Sequence, residues 1–152
     1  MLLEVLDTRM IAFFRRISIP TARFGLFVVY FWFGLLKILD LSPASDLVHD
    51  LLARTLPFMT FETFFFLFGL FECLIGILFL IRGLERLALP LLLVHMVMTF
   101  MPLVLLPQEV WSGFMVPTLE GQYIIKNLLI IAAAAGIMAH LQPLWHPLSQ
   151  SR

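Results

Sequence analysis

The chain has few charged residues and a single cysteine, and each shortage excludes a class of protein. Charged residues occupy only 13% of the 152 positions, and ten basic and ten acidic residues cancel, so the charge balance gives no argument for binding nucleic acid. The one cysteine, Cys73, excludes an internal disulfide, a dithiol redox pair and a cysteine-rich metal site. The sequence also lacks a glycine-rich phosphate loop, a dinucleotide fingerprint and the ligand spacings of haem, iron–sulfur and zinc sites. It therefore requires no cofactor, predicts no metal site and does not decide whether the chain is an enzyme.

Apolar residues dominate the sequence instead. They make up 61% of it, sixteen of them are phenylalanine, and the mean hydropathy is +1.00. A soluble domain of this size cannot cover so much apolar surface, so the composition predicts an integral membrane protein. Four segments are long and apolar enough to cross a bilayer, at residues 22–39, 61–82, 87–106 and 123–141. We expect an all-α membrane protein, a four-transmembrane-helix bundle that forms a single membrane domain over residues 21–141.

Residues 1–20 predict an amphipathic helix that lies in the membrane interface. The acids Glu4 and Asp7 precede the apolar residues and no small-residue cleavage site follows, so we do not predict a cleaved signal peptide. The apolar side of this helix would carry Leu2, Leu6, Met10, Phe13 and Ile17. We expect the helix to end at Pro20. An anchoring role is favoured over docking of a partner protein.

The segments between the spans and the arginines predict the topology. We expect a short surface helix, a tight turn and an irregular loop over the mouth of the bundle, at residues 44–56, 82–86 and 107–122. One side of the membrane would receive Arg9, Arg15, Arg16, Arg23, Arg82, Arg86 and Arg152. The loops on the other side hold only Arg54. Basic loops stay in the cytoplasm, so both termini should be cytoplasmic, with residues 142–152 as a cytoplasmic tail.

Every predicted span carries at least one polar residue, which is costly in a bilayer. Glu72 lies near the centre of the second span, and His95 lies near the centre of the third. The remaining polar positions fall in the outer third of the membrane and are Lys37, Glu62, Lys126 and Asn127. Because an unpaired charge near the bilayer centre costs roughly 3 kcal/mol, we expect the charges to pair around a cavity that opens outward. Lys37 can pair with either carboxylate, and the set can serve as a ligand or proton site or can only hold the helices together.

Three motifs that each contain glycine carry a resemblance to a known family. They are GLLK at residues 34–37, GLFE with a later glycine at residues 69–76, and PTLEGQYIIKNL at residues 117–128. Together with His95, they make the chain similar to the DoxX-like superfamily of small four-span bacterial membrane proteins, over roughly residues 24–141. The last motif is the most specific and resembles the branch that includes the reactive-chlorine-resistance inner-membrane protein.

The resemblance implies a location, a polar core and a range of functions. Members lie in the bacterial cytoplasmic membrane and are linked to quinol oxidase or thiosulfate:quinone oxidoreductase subunits and to oxidative-stress resistance, while animal relatives assist receptor assembly. The family pattern places its polar core at Lys37, Glu72, His95 and Lys126. We therefore expect a multi-pass inner-membrane component of a redox or oxidative-stress-defence system whose cavity could bind quinone or another lipid-soluble small molecule.

Two other functions remain open at this stage. The chain could be a non-catalytic assembly or accessory subunit, or an oligomeric proton-coupled transporter. In each case the chain contacts the lipid bilayer, and a partner membrane subunit or a homo-oligomer is expected. A redox role would need that partner or a bound lipid-soluble cofactor, because the sequence carries no redox centre of its own.

Overall fold

The computed structural model describes residues 2–142, which form eight helices and one two-stranded hairpin. The helices are α1 (Leu2–Ile38), α2 (Ser45–Thr55), α3 (Phe61–Leu80), α4 (Glu85–Phe100), α5 (Pro102–Leu105), α6 (Pro107–Val110), α7 (Leu119–Lys126) and α8 (Leu128–Ala139). The segments long and apolar enough to cross a membrane are Leu3–Ile38, Phe61–Leu80, Glu85–Leu105 and Leu119–Ala139. The prediction of a mainly helical chain with four helices long and apolar enough to cross a membrane is confirmed. Of the predicted tail, all but Gln142 lies outside the described residues.

The first helix runs through Pro20, so the predicted helix end at that residue is wrong. A proline ring holds φ near the helical value, and the helix loses only the bond from residue 20 to the Arg16 carbonyl. That carbonyl lies on an exposed stretch where solvent can reach it. The predicted interfacial helix and the first span are therefore one helix of 37 residues. At ~1.5 Å per residue it is ~55 Å long, well beyond the ~30 Å of a hydrocarbon core.

Close packing of α1 along α3 builds the centre of the bundle. A Cβ added to Gly34 would lie 2.6 Å from the Gly69 carbonyl oxygen, and one added to Gly69 would lie 2.7 Å from the Gly34 carbonyl oxygen. Farther along the pair, a Cβ on Gly76 would lie 2.9 Å from the Phe31 nitrogen. The two backbones can approach this closely because the glycines have no side chain to separate them.

The third span is interrupted at Pro102. Helix α4 continues across Pro90 but ends at Phe100, and α5 begins at Pro102. Proline has no N–H to donate to the preceding turn, so the ladder restarts with Pro102 in the first helical position, where no donor is needed.

The segment before the fourth span is more ordered than predicted. Strands β1 (Trp111–Gly113) and β2 (Val116–Pro117) form an antiparallel hairpin, with Met115 in the left-handed region at a φ of 58°. The fourth span then begins at Leu119 and not at residue 123. The Thr118 hydroxyl causes this early start, because it accepts a hydrogen bond from the Gly121 N–H at 3.2 Å and so caps the helix.

The two ends of the bundle differ, and we name them for what they hold. The loop end carries α2, α6 and the hairpin, and the predicted short helix is confirmed there as α2. The turn end carries the tight turn at residues 81–84, in which Gly83 adopts a φ of +93°. Between the cluster described below and the turn end lies a buried apolar layer. It includes Leu26, Ile75, Leu78, Phe79, Ala88, Leu92 and Ile137.

Candidate functional site

The Glu72 carboxylate lies between a lysine and a histidine from two other helices. Its Oε2 atom is 2.7 Å from Lys37 Nζ on α1, and its Oε1 atom is 2.9 Å from His95 Nε2 on α4. The three residues retain only 7% (Lys37), 5% (Glu72) and 6% (His95) of their surface exposure. Each carboxylate oxygen thus has its own donor, which offsets part of the cost of placing charge between apolar helices.

The glycine contact between α1 and α3 positions this ion pair. Lys37 lies one turn beyond Gly34 on the same side of α1, and its Cβ would be 3.0 Å from a Cβ on Gly69. Gly69 lies one turn before Glu72 on α3, so the two charged side chains start from backbones that already touch. Lys37 therefore points into the bundle and contacts Glu72, which decides between the two carboxylates that the sequence left open.

His95 has a hydrogen-bond partner for each of its protonation states. Its Nδ1 atom lies 3.3 Å from the Tyr30 hydroxyl and 3.2 Å from the Thr99 hydroxyl, which also donates to the His95 carbonyl at 3.0 Å. In a neutral ring with the proton on Nε2, Nδ1 accepts from Tyr30 while Nε2 donates to Glu72. In a protonated ring, Nδ1 donates to Thr99 Oγ1, whose own proton is directed to the carbonyl. Both states are thus satisfied without moving a helix.

Aromatic rings enclose the cluster. The Phe68 ring stacks on the His95 ring at 5.1 Å with an interplanar angle of 8°, and Lys37 Nζ lies 5.5 Å from the centre of the same phenylalanine ring. Tyr30 contacts the imidazole edge-on, with centroids 5.1 Å apart. Phe68 itself is only half-buried, so it separates the imidazole from the surface of the bundle. Apolar walls lower the local dielectric and strengthen the interactions among these polar groups.

Three of the predicted site residues lie away from this cluster. Glu62 is exposed, because α1 ends at Ile38 beside Gly69 and α2 packs against the start of α3 on the side of Phe61. Lys126 is also exposed, and its ammonium group lies 5.0 Å from the centre of the Tyr123 ring. The Asn127 side chain donates to carbonyls of its own helix, those of Tyr123 and Ile124, at 3.1 and 3.2 Å.

Tyr30 and Thr99 contact His95 and were not among the predicted site residues. Tyr30 lies seven residues before Lys37, which is two turns along the same side of α1. Thr99 lies four residues after His95, and so one turn away on the same side of α4. Helical spacing from the two charged residues therefore contained the signal for both hydroxyls.

A second buried ion pair, also not predicted, lies at the turn end. Arg23 on α1 pairs with Glu85 at the start of α4, and its other terminal nitrogen donates to the Leu80 carbonyl at 3.2 Å. Glu85 accepts from the Gly83 N–H at 2.7 Å as well. Opposite charges at the same end of the first and third spans were the available signal. The apolar layer separates this pair from the Glu72 cluster.

The predicted cavity can be compared with the pockets of the structure. One pocket of about 240 Å³ lies at the loop end, between α2 and the start of α3, and its lining includes His49, Leu52 and Phe61. It shares no residue with the cluster. Every buried side-chain nitrogen and oxygen among the described residues has a hydrogen-bond partner. Because Lys37, Glu72 and His95 also retain no more than 7% exposure, the cluster is closed in this structure.

Comparison with known proteins finds no match to a family model, to a curated protein sequence or to a solved structure.

Proposed function

We propose that the chain is a multi-pass protein of the bacterial inner membrane, with the turn end and both termini in the cytoplasm. In this proposal it serves a redox or oxidative-stress-defence system by binding a lipid-soluble molecule with a polar head, such as a quinone, at the Glu72 cluster. The observation that carries the proposal is the pair of hydroxyls on His95 Nδ1, beside an imidazole that already contacts a carboxylate. This arrangement lets one buried site hold or release a proton with little reorganisation.

The proposed binding uses the groups that line the closed cluster. A quinone carbonyl oxygen accepts a hydrogen bond from the Lys37 ammonium group, and a quinol hydroxyl donates to the Glu72 carboxylate. The half-buried Phe68 ring covers His95 on the surface of the bundle, so its rotation would admit a flat head group from the bilayer. The chain supplies hydrogen bonds and protons, and the electrons come from a partner redox subunit.

Titration with a short-chain ubiquinol, kept reduced, tests the proposal. The protein is reconstituted in lipid nanodiscs, and ubiquinol binding is followed by quenching of the protein's tryptophan fluorescence. We expect saturable binding that is at least tenfold weaker in Glu72→Gln, since the quinol hydroxyl donates to the Glu72 carboxylate and a charged acceptor contributes roughly 1.5–3 kcal/mol to a hydrogen bond. Glu62→Gln is the matched control, because it makes the same change ten residues away on an exposed part of α3.

The controls separate binding at the cluster from partition into the lipid. Wild-type and Glu62→Gln proteins should bind alike. Equal quenching in wild type and in Glu72→Gln, or quenching that rises linearly with ubiquinol and never saturates, would refute the proposed site.

An accessory or assembly function is the second candidate, and the completeness of the network favours it. Lys37, Glu72 and His95 satisfy one another across three helices, as a purely structural contact would. This function predicts that Glu72→Leu retains activity in cells and that a stoichiometric membrane protein stays bound on gentle extraction. Transport across the bundle is disfavoured, because a buried apolar layer separates the cluster from the turn end within the described residues.

A further inference from the structure

The N-terminal half of α1 extends beyond the bundle and keeps an apolar side uncovered. Leu6, Met10, Phe13 and Phe14 each expose half or more of their surface. On the polar side, Arg9, Arg15 and Arg16 are also exposed. Residues 8–22 contain these three arginines and no acidic residue. Such a surface is complementary to a binding partner that is apolar where it meets the uncovered side chains and negatively charged where it meets the arginines.

The register of α1 identifies the side on which that partner lies. On a helix that turns by about 100° per residue, Leu6, Phe13, Phe24 and Leu35 fall within a sector of about 40°. Phe24 and Leu35 belong to the membrane-spanning half and are exposed on the outside of the bundle. The uncovered apolar side of the N-terminal half is therefore a direct continuation of the lipid-facing side of the span.

The same register gives the direction in which the helix must bend. Arg23 and Tyr30 mark the side of α1 that faces the bundle, and the apolar side lies about 110° around the helix from it. If the N-terminal half bends toward its apolar side, outward and to one flank of the bundle, that side comes to lie on the bilayer. If it bent in the reverse direction, underneath the bundle, that side would face water. Pro20, which removes one helical hydrogen bond between the two halves, provides the point of bending.

We propose that residues 3–19 bend away from the bundle at Pro20 and bind the cytoplasmic surface of the bilayer through anionic phospholipid head groups. Phe13 and its neighbours enter the acyl boundary, and Arg15 and Arg16 contact the phosphates. Arg16 lies seven residues before Arg23, about 10 Å along the helix, so it leaves the bundle at the depth of the head groups. Arg23 does not take part, because Glu85 already holds it.

Fluorescence quenching on the full-length protein tests this proposal. An environment-sensitive dye is attached at Phe13→Cys or at Thr8→Cys, in a Cys73→Ser background, and the protein is placed in vesicles of phosphatidylcholine with or without phosphatidylglycerol. Spin-labelled lipid should quench the dye at position 13 in the anionic vesicles, whereas aqueous iodide should quench the dye at position 8. Replacing Arg15 and Arg16 by glutamine should weaken the lipid quenching, by roughly fivefold in bound-to-free ratio per arginine.

Two variants serve as matched controls. Asp7→Asn removes a charge of the opposite sign from the same helix and should strengthen the lipid quenching. Arg82→Gln removes an exposed arginine of the inner turn, off α1, and should leave the signal unchanged.

Three results would overturn the proposal. Iodide quenching of the dye at position 13 in both kinds of vesicle would place the segment in water. Shielding of that dye from both quenchers, or its proximity to a dye on another copy, would assign the apolar side to a protein. Lipid quenching that depends neither on phosphatidylglycerol nor on Arg15 and Arg16 would indicate an apolar anchor with no role for anionic head groups.

Discussion

Gly34 and Gly69 touch through their backbones, and the contact is reciprocal. A Cβ on either residue would lie within 2.7 Å of the other residue's carbonyl oxygen. The contact sets the distance between α1 and α3 one turn before each of the charged residues Lys37 and Glu72. Backbone packing and the ion pair are therefore parts of one arrangement, and a substitution that separates the two backbones should also weaken the ion pair.

Alanine at either glycine should destabilise the protein. The added methyl group meets backbone atoms that cannot rotate away, so we expect Gly34→Ala or Gly69→Ala to cost about 1–3 kcal/mol in the free energy of unfolding, measured by steric trapping in bicelles. Gly25→Ala is the control, because nothing lies within 4 Å of a Cβ there. That variant should be neutral or slightly stabilising, since alanine favours a helix more than glycine does. Equal effects at positions 25 and 34 would refute the close-packing explanation.

Lys37 and Glu72 should be coupled, so that the losses of unfolding free energy from their single replacements add up to more than the loss from replacing both. Glu72→Gln leaves the Lys37 ammonium group buried without a counter-charge, and we expect a loss of about 3–5 kcal/mol in unfolding free energy. In the double variant Lys37→Met with Glu72→Gln, the loss should be smaller than the sum of the single losses by about 1–3 kcal/mol. Additive losses would mean that the two side chains are not coupled in the folded protein. Glu62→Gln should change the unfolding free energy by no more than about 0.5 kcal/mol.

The sequence predicted the fold wherever a long apolar run decides the structure. The second and third spans begin within two residues of the predicted starts at 61 and 87. The first predicted span, 22–39, overlaps a longer helix that ends at Ile38. The errors fall where local chemistry competes with the pattern. Pro20 was taken as a helix end, yet its ring is compatible with helical φ. The early start of the fourth span follows from one hydroxyl cap, at Thr118, which the apolar pattern does not contain.

The polar cluster was predictable only in part, for a geometric reason. Depth in the membrane identified Glu72 and His95, and both lie in the cluster. Depth alone also selected Glu62 and Lys126, which are exposed because no neighbouring helix covers their side of the bundle. Whether a polar residue meets a partner depends on where the adjacent helix ends, as the position of Ile38 shows. That information lies in the packing of helices and not in the period of one helix.

The Arg23–Glu85 pair should hold the turn end together. Glu85→Gln removes the charge that compensates Arg23, and it weakens the acceptor of the Gly83 N–H. We expect a loss of about 3–5 kcal/mol in unfolding free energy and faster hydrogen exchange at the Gly83 amide. Arg82→Gln alters an exposed side chain in the same turn and should change the unfolding free energy by no more than about 0.5 kcal/mol. It should leave hydrogen exchange at the Gly83 amide unchanged. Unchanged exchange at Gly83 in Glu85→Gln would contradict the proposed role.

Glu109 gives the loop end a pH dependence of predictable sign. Partial burial, followed by the nearby Asp50 carboxylate, raises the pKa of Glu109 above its ordinary value, although Arg54 acts in the opposite direction. The folded protein therefore holds this proton to a higher pH than the unfolded chain does. Stability should fall as pH rises from the ordinary glutamate pKa through the raised one, and Glu109→Gln should lack that decline.

The comparison of thermal midpoints across pH tests the sign for Glu109. Below the ordinary glutamate pKa the wild type and Glu109→Gln should unfold alike, and above it the variant should become relatively more stable. A variant that loses stability relative to wild type as pH rises would show that the carboxylate is stabilising and that the shift has the opposite direction.

The tautomer of His95 provides the most direct test of the cluster, because only one arrangement of a neutral ring satisfies its neighbours. With the proton on Nε2, the ring donates to Glu72 and accepts from Tyr30. With the proton on Nδ1 instead, a bare Nε2 lone pair would face a carboxylate oxygen 2.9 Å away, which is repulsive. We therefore expect nitrogen-15 NMR of histidine-labelled protein in lipid to show an Nε2–H ring or a doubly protonated ring for His95. His95→Gln identifies its signals, and Tyr30→Phe should shift the Nδ1 resonance while leaving the signals of the exposed His49 in place. A neutral ring with its proton on Nδ1 would contradict the hydrogen bond to Glu72, and the proton-exchange function proposed for the site would lose its structural basis.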